Sequence, residues 1–266
     1  MSGESLAIEC RELHKAFGGR PVLRGVSLDI REGETYTILG GSGSGKSVCL
    51  KHMIGLLRPD AGQVFVFGSE VSRLSERELV AVRKNIGMVF QGAALFDSLS
   101  VFENVAYPLR EHWDADEEQI RERVRSCLAS VGMPGIEELV PSELSGGMRK
   151  RIGVARAIAL QPRIILYDEP TTGLDPANSR RIGHLIKDLQ QRLEVTSVVV
   201  THDMPLCHEI SDRVALLRGG RFVLEVGGDE LADLDHPELR EFLEGSGDPS
   251  APATSGLAGS SAPPAP

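Results

Sequence analysis

The sequence lacks the features of a membrane-spanning or exported chain. Within its 266 residues, no uninterrupted apolar run reaches the roughly 18 residues that a transmembrane helix requires. Its start, at residues 1–6, has neither the basic stretch nor the apolar core of a secretory signal. We therefore expect a soluble or peripheral protein on the cytoplasmic side of the cell.

Excess positive charge and closely spaced cysteines are also missing. The chain has 29 Lys and Arg residues against 38 Asp and Glu residues, a formal net charge of -9. Proteins that bind nucleic acid without sequence preference neutralise phosphates with clustered Lys and Arg, so this composition argues against a nucleic-acid partner. The four cysteines are far apart, with no C-x-x-C pair, and predict neither a disulfide framework nor a zinc site. They are Cys10, Cys49, Cys127 and Cys207.

The order of β-rich runs and helical patterns predicts an α/β fold with a mostly parallel sheet. The runs lie at residues 35–39, 63–67, 86–90, 164–167 and 197–200. Those at 164–167 and 197–200 are continuously apolar, which is typical of central strands buried on both faces. By contrast, residues 26–30 and 63–67 alternate, so we expect the N-terminal part to form an antiparallel sheet.

Three further segments complete the predicted organisation. Between residues 99 and 150 the β signal gives way to helical periodicity, which indicates an α-helical subdomain inserted in the core. Residues 1–244 are expected to form one domain. Residues 245–266 are almost entirely Gly, Ser, Ala, Pro and Thr, a composition that predicts a disordered tail.

A phosphate-binding loop is the strongest local motif. Residues 40–47 match G-x-x-x-x-G-K-[ST], follow the apolar run at 35–39 and precede a helical pattern at 48–57. The glycines allow successive backbone N–H groups to point at one anion, Lys46 is expected to reach the β and γ phosphates, and Ser47 offers a hydroxyl for Mg²⁺. The motif consists of Gly40, Gly41, Ser42, Gly43, Ser44, Gly45, Lys46 and Ser47.

Two adjacent carboxylates end the apolar run at 164–167. Asp168 is placed to hold the hydration shell of Mg²⁺ beside Ser47, and Glu169 to accept a proton from an attacking water. A solvated strand terminus is the structural alternative, because acidic residues are common on protein surfaces.

A second candidate anion site precedes the helical pattern at 149–160. Ser145, Gly146 and Gly147 place free N–H groups at a helix start, where an anion is favoured. The same three residues also fit a simple N-cap. A single phosphate loop needs no second phosphate site, so residues 144–148 argue against a simple kinase or GTPase.

The motifs, taken in order, resemble the nucleotide-binding subunit of ABC transporters from about residue 6 to residue 243. Residues 144–148 resemble the signature of that family and residues 173–175 its D-loop. Single residues match further family positions: Gln91 the Q-loop glutamine, Asp175 the D-loop aspartate, His202 the switch histidine, and Phe17 the aromatic that stacks on adenine. The fold implied by this resemblance is a P-loop NTPase of the RecA-like type.

The resemblance implies a head-to-tail dimer of two copies of this chain, with ATP held between the phosphate loop of one copy and Ser145, Gly146 and Gly147 of the other. Closure on ATP and opening after hydrolysis would drive transport. In this scheme Lys46 and Ser145 stabilise phosphate charge and Glu169 polarises water. His202 would contact the γ phosphate, and Gln91 would report its presence. Mg²⁺ would be bound through Ser47, Gln91 and Asp168, and Asp175 would link the two sites.

Residues 91–112 and Met148 resemble more narrowly the MlaF-like ATPases of Mla/MCE-type phospholipid transporters. Most ABC signatures end in Gln, and a thioether cannot make the hydrogen bonds of an amide, so either the position is dispensable or this branch rearranges locally. The expected partners are a multi-span permease, an MCE-domain substrate-binding protein and a small regulatory subunit, at the cytoplasmic face of the inner membrane.

The apolar residues of this segment allow two interpretations. They either line a cleft for the permease or belong to the core of the helical subdomain. The residues are Leu95, Phe96, Leu99, Val101 and Phe102.

Three other functions stay open at this point. An ATPase for the import of amino acids or another polar solute differs only in residues 91–112 and Met148. A nontransport ABC protein that acts as an assembly scaffold more often fuses two ATPase units or inserts long coiled coils, which this chain does not. A small-molecule kinase would leave Ser145–Gly147 and His202 unexplained.

Overall fold

The computed structural model describes residues 5–245, which form ten strands and eight α-helices. The strands are β1 (Leu6–Phe17), β2 (Arg20–Arg31), β3 (Thr35–Leu39), β4 (Ala61–Val66), β5 (Ser69–Glu70), β6 (Ile86–Val89), β7 (Ile164–Asp168), β8 (Thr196–Thr201), β9 (Arg213–Arg218) and β10 (Arg221–Gly227). The helices are α1 (Lys46–Met53), α2 (Glu76–Arg83), α3 (Val101–His112), α4 (Glu117–Ser130), α5 (Gly146–Ala157), α6 (Pro176–Leu193), α7 (Met204–Ile210) and α8 (Pro237–Leu243).

The main sheet has six strands in the order β10-β9-β3-β8-β7-β6. Its neighbours from β9 to β6 are parallel, and β10 pairs with β9 in the antiparallel direction. Every residue of β3, β7 and β8 is buried, as expected for central strands covered on both faces. The predicted mostly parallel α/β core is confirmed.

The second sheet is antiparallel, with the order β2-β1-β4-β5, and confirms the prediction for the N-terminal part. Its inner face shares a hydrophobic core with α1 and with one face of the main sheet, including Ile8, Leu50 and Val198. The phosphate loop, between β3 and α1, is therefore fixed between two sheets.

Helices α3, α4 and α5 lie between β6 and β7, where the sequence predicted a helical insertion. Their apolar faces join Val89, Tyr167 and Val199 of the main sheet in one core. The exact limits 99–150 and the division of the chain at 244 stay predictions. The predicted disordered tail, apart from Gly245, lies outside the described residues.

Several elements differ from the sequence prediction. Helix α1 starts at Lys46 and ends at Met53, so it begins two residues before the predicted 48–57 and ends four residues earlier. Helix α5 starts at Gly146 rather than at residue 149, because Ser145 caps it through a bond from the backbone N–H of Met148. The antiparallel pair β9–β10 was not predicted, because its turn at Gly219 and Gly220 interrupts a single mixed run.

Candidate functional site

The phosphate loop requires glycine at two of its positions for steric reasons. A Cβ on Gly40 would lie 2.6 Å from the carbonyl oxygen of Leu217, and one on Gly45 would lie 2.9 Å from Leu23 Cδ2. Gly45 also has a φ of +109°, which favours glycine. Helix α1 starts directly afterwards without a side-chain cap, so its first N–H groups are available to an anion.

Lys46, at the start of α1, reaches from the loop to the end of β7. Its Nζ donates to the carbonyl oxygens of Gly40 at 2.8 Å and Gly41 at 3.0 Å. The same Nζ forms an ion pair with Glu169 Oε1 at 3.0 Å. The ammonium therefore connects the phosphate loop to the second of the two predicted carboxylates.

Ser47 and Asp168 meet across the site. Ser47 Oγ donates a 2.7 Å hydrogen bond to Asp168 Oδ1, although the residues are 121 positions apart. Asp168 is the last residue of β7 and is buried. The arrangement brings together the hydroxyl and the carboxylate that the sequence predicted as Mg²⁺ ligands.

Glu169 is a second buried carboxylate, held from three sides. Its Oε2 lies 2.8 Å from His202 Nδ1 and accepts a 3.2 Å bond from Thr172 Oγ1, while Oε1 faces Lys46. Its backbone has a φ of +49°, an uncommon conformation for a residue other than glycine. The His202 side chain is 57% exposed, so the group opposite Glu169 remains open to solvent.

Gln91 follows β6, and its backbone is held by Lys150 of α5. The Nζ of Lys150 donates to the carbonyl oxygens of Gln91 and, at 3.1 Å, of Glu169. Burial lowers the pKa of Lys150, while the carboxylates of Glu169 and Asp168 act in the opposite direction. The sequence did not mark Lys150 as functional, because it lies between Arg149 and Arg151 in what reads as a solvated basic run.

A cleft of about 970 Å³ lies at this site. Eight of the predicted site residues line it: Gly41, Ser42, Gly43, Lys46, Ser47, Gln91, Glu169 and His202. The cleft also has walls that the sequence did not identify, from Thr171, Asp203, Phe242 and Leu243. Of these, Asp203 has a local sequence signal as the N-cap of α7, whereas its 2.9 Å bond from Thr171 Oγ1 joins residues 32 positions apart.

The structure does not bring Ser145–Gly147 or Asp175 into this cleft. Ser145 is exposed and caps α5, accepting a 3.3 Å bond from the Met148 N–H. Asp175 caps α6, and bonds from the backbone and side chain of Asn178 lower its pKa. The two caps are neighbours, because a Cβ on Gly147 would lie 3.2 Å from the Asn178 side chain.

Phe17 lies at the end of β1 and is 46% exposed, with Lys15 Nζ 5.6 Å from its ring centre. It does not line the cleft described above. Met148 is half-buried and packs against the helical core, which a thioether suits better than an amide.

A second cleft of about 390 Å³ lies between α3, α5 and β6. Phe96 and Tyr107 lie on its wall with ring centres 5.1 Å apart, and both are nearly half exposed. Lys84 and Arg156 add positive charge. Of the remaining apolar candidates, Val101 is fully buried in the core, whereas Phe102 is only partly buried against it.

Two further observations concern residues 5–245. No helix in that range is long and apolar enough to cross a membrane. All four cysteines are free and buried, in agreement with the interpretation that they are core residues.

The sequence matches the family model described as "ABC transporter" over residues 23–172. Three curated relatives cover most of the chain. The probable ribonucleotide transport ATP-binding protein mkl of Mycobacterium leprae is 42% identical over 90% of this chain and 69% of its own. The methionine import ATP-binding protein MetN of Carboxydothermus hydrogenoformans is 47% identical over 82% of this chain and 65% of its own.

The third relative is matched almost from end to end. The intermembrane phospholipid transport system ATP-binding protein MlaF of Haemophilus influenzae is 41% identical over 91% of this chain and 91% of its own. Among solved structures, a dimeric post-hydrolysis state of the ATP-binding cassette MJ0796 bound to ADP and Pi is similar with a TM-score of 0.77 and 34% identity. That match covers 83% of this chain and 98% of the other.

Proposed function

Because the chain belongs to the ABC transporter family as an ATP-binding, ATP-hydrolysing subunit, we propose that it powers the movement of phospholipids by an Mla/MCE-type transporter. The observation that carries this proposal is the 41% identity to the Haemophilus phospholipid-transport subunit over 91% of both chains. Met148 adds support, because it is one of the residues by which the sequence resembles the lipid-transport branch.

The cleft has the groups that ATP requires. The loop N–H groups and Lys46 are placed for the phosphates, and the exposed His202 for the γ phosphate. Phe17 is proposed to contact adenine from the end of β1. The 970 Å³ cleft is large enough to accept most of a nucleotide.

The residues present also suit Mg²⁺. Among residues 5–245 no group of three His, Cys, Asp or Glu side chains is arranged to hold a metal. Mg²⁺ commonly takes only one or two protein carboxylates and completes its shell with water and substrate phosphates. The Ser47–Asp168 pair, with Gln91 at the cleft edge, provides such a partial set, and the ion would neutralise phosphate charge during hydrolysis.

Glu169 is the proposed general base. It lies at the cleft wall, and its Oε2 already pairs with the ring of His202, which can position a water and the γ phosphate together. Lys46 is shared between Glu169 and the phosphate loop. Phosphate oxygens entering the cleft would compete with Glu169 for this ammonium, which would release the carboxylate toward water.

A head-to-tail dimer would complete the site. Ser145, Gly146 and Gly147 are outside the cleft of their own chain, so they can reach a nucleotide only in a second copy. Asp175, beside them at the start of α6, would join the two sites across the interface. The solved cassette similar to this chain is itself described as dimeric.

The second cleft is the proposed docking site of the permease. Its apolar wall at Phe96 and Tyr107, with Lys84 and Arg156 beside it, suits an amphipathic helix that carries an acidic residue. We propose that the chain binds at the cytoplasmic face of the inner membrane through this contact. An MCE-domain protein and a small regulatory subunit would belong to the same assembly.

Methionine import is the second candidate, favoured by the 47% identity to the MetN relative. Affinity isolation of the full chain from membranes, followed by mass spectrometry, separates the two. The lipid proposal predicts a permease with an MCE-domain protein, and ATP turnover of the isolated complex that rises with phospholipid. Recovery of an amino-acid permease, with turnover that responds to methionine and not to phospholipid, would contradict it.

A further inference from the structure

Lys150 is a buried cation with no described acidic side chain as an ion-pair partner. It lies on α5 with 6% exposure, and among residues 5–245 it forms no ion pair with a carboxylate. Its Nζ instead donates to the backbone carbonyl oxygens of Gln91 and Glu169. Those two residues follow the parallel neighbouring strands β6 and β7, so the ammonium bridges two strand ends.

Burying an ammonium costs free energy that only well-placed charge-assisted bonds can offset. An apolar side chain of similar length would fill the same space without that cost. Lys150 is therefore distinguished by the groups that it binds, which are the backbone carbonyls of two residues that line the cleft.

The same face of α5 holds the next residues of the loop. Arg156 donates to the carbonyl oxygens of Ala93 at 2.9 Å and Ala94 at 2.7 Å. A Cβ on Gly153 would lie 3.3 Å from Ala93 Cβ, so the loop lies directly on the helix. Residues 150, 153 and 156 are three apart and share one helix face. The loop from residue 91 to 94 is thereby attached to the helix that starts at the signature.

The backbone segments that Lys150 and Arg156 bind adopt uncommon conformations. Ala93, Ala94 and Glu169 all have positive φ values, of 61°, 49° and 49°. Such conformations persist only where surrounding contacts impose them. For Glu169, Lys150 supplies one of those contacts at the carbonyl, and the backbone of Val200 accepts the N–H at 2.9 Å.

We propose that Lys150 is a positioning residue for ATP hydrolysis, which sets the backbone of Gln91 and Glu169 according to the position of the signature helix. This inference rests on the roles proposed above for Gln91 and Glu169. When α5 moves with its bound partner copy, the Lys150 ammonium carries that movement to both residues. Lys150 makes no hydrogen bond to residues 40–47 and is connected to Lys46 only through Glu169, so we expect nucleotide binding to change much less than turnover.

The test compares Lys150→Met, which keeps most of the side-chain length and removes the donors, with Lys150→Gln, which has a similar length and keeps an N–H donor. ATP turnover of the full chain with Mg²⁺ is expressed per nucleotide site. The sites are counted by titration with a fluorescent ATP analogue, so unfolded protein does not contribute to the rate. We expect kcat of Lys150→Met to fall about 10- to 100-fold, the loss typical of a misplaced reacting group, with KM within about twofold. Lys150→Gln should recover at least a severalfold part of that loss.

Arg123 provides a matched control. It donates to the carbonyl oxygens of Ile158 at 2.6 Å and Ala159 at 2.9 Å, beyond the far end of the same helix. Arg123→Met removes an equivalent pair of bonds without touching the cleft, and its kcat should stay within about twofold of the original. A purely structural role for Lys150 predicts equal losses of melting temperature in both variants and normal kcat in both.

Three results would overturn the inference: normal kcat in Lys150→Met, equal loss of kcat in Arg123→Met, or a KM that rises as much as kcat falls. Glu169→Gln, measured in parallel, separates this failure from that of the proposed site. If Glu169→Gln loses turnover while Lys150→Met keeps it, only the role of Lys150 is wrong. If Glu169→Gln turns over normally, the assignment of Glu169 fails and the inference falls with it.

Discussion

The ammonium of Lys46 lies 3.0 Å from Glu169 Oε1, and the side chains are only 6% and 10% exposed. This pair joins the phosphate loop to the end of β7 and links the residue expected to bind phosphate to the residue expected to activate water. An anion that enters the cleft therefore competes with Glu169 for the same cation, Lys46. The first two predictions test the two sides of this pair.

Glu169→Gln should abolish ATP turnover and leave ATP binding intact or tighter. Losing a general base lowers the rate by about 10²- to 10⁴-fold, while removal of its negative charge leaves Lys46 free for phosphate. Turnover and titration with a fluorescent ATP analogue measure the two effects. Glu194→Gln is the matched control, because Glu194 also has a positive φ, of 51°, but lies exposed at the end of α6. Normal turnover in Glu169→Gln would refute the assignment.

Lys46→Ala should lose both turnover and nucleotide affinity. A hydrogen bond from a charged group contributes about 1.5–3 kcal/mol, so affinity for Mg-ATP should fall roughly tenfold or more. Lys51→Ala, on the exposed side of the same helix, serves as the comparison. Equal affinities of the two variants in a binding titration would show that Lys46 does not hold the phosphates.

Asp168→Asn should raise the Mg²⁺ concentration that gives half-maximal turnover by about tenfold, the effect typical of losing a partner of a metal's shell. Asp168 accepts a hydrogen bond from the Ser47 hydroxyl, and this pair defines the proposed Mg²⁺ position. A Mg²⁺ titration of turnover at saturating ATP makes the measurement, and affinity for ATP in the presence of EDTA should not change. An unaltered Mg²⁺ dependence would place the ion elsewhere.

Phe96→Asp should detach the chain from the proposed permease while ATP binding is preserved, because a buried carboxylate in an apolar contact is unfavourable. Phe96 is 44% exposed on the wall of the second cleft. Leu193→Asp changes a side chain with 43% exposure at the end of α6, and should leave the complex whole. The readout is the amount of permease recovered with each variant from solubilised membranes, and equal recovery would contradict the docking site.

Asn104→Ala should destabilise the wall of that cleft. The buried amide accepts from the Phe96 N–H at 2.8 Å and donates to the carbonyl oxygens of Phe96, Leu99 and Ser100. Leaving such groups unpaired costs about 1–3 kcal/mol, which urea unfolding can resolve. Asn85→Ala, an exposed amide with one bond to the Ala81 carbonyl oxygen, should lose much less. Similar unfolding free energies for both variants would show that Asn104 does not stabilise the loop.

The sequence was sufficient to predict the parts of the site that depend on local pattern. Residues 40–47 need a strand before them and a helix after them, and both are readable from periodicity, as is the apolar strand that ends in Asp168 and Glu169. Ser145 could be recognised as a helix start. Its exclusion from the cleft of its own chain depends on how the helices pack, which periodicity does not reveal.

The residues missed by the sequence interpretation act through contacts between distant segments. Lys150 bonds to carbonyl groups 59 and 19 positions away. Phe242 reaches the cleft because Arg218 pairs with Glu238 and Glu241 and holds α8 against the end of β9. Neither composition nor spacing indicates such contacts, because they depend on how separate helices and strands pack together.

The head-to-tail site can be tested directly by cysteine crosslinking, because all four native cysteines are buried. Ser42 and Ser145 are exposed, one on the phosphate loop and the other at the start of α5. Ser42→Cys and Ser145→Cys chains, each also carrying Glu169→Gln, are mixed with Mg-ATP and oxidised. We predict a covalent dimer that contains one chain of each kind and that neither variant forms alone. If no mixed dimer forms while ATP is bound, or if a single chain carrying both cysteines closes on itself, each nucleotide is not held between two copies.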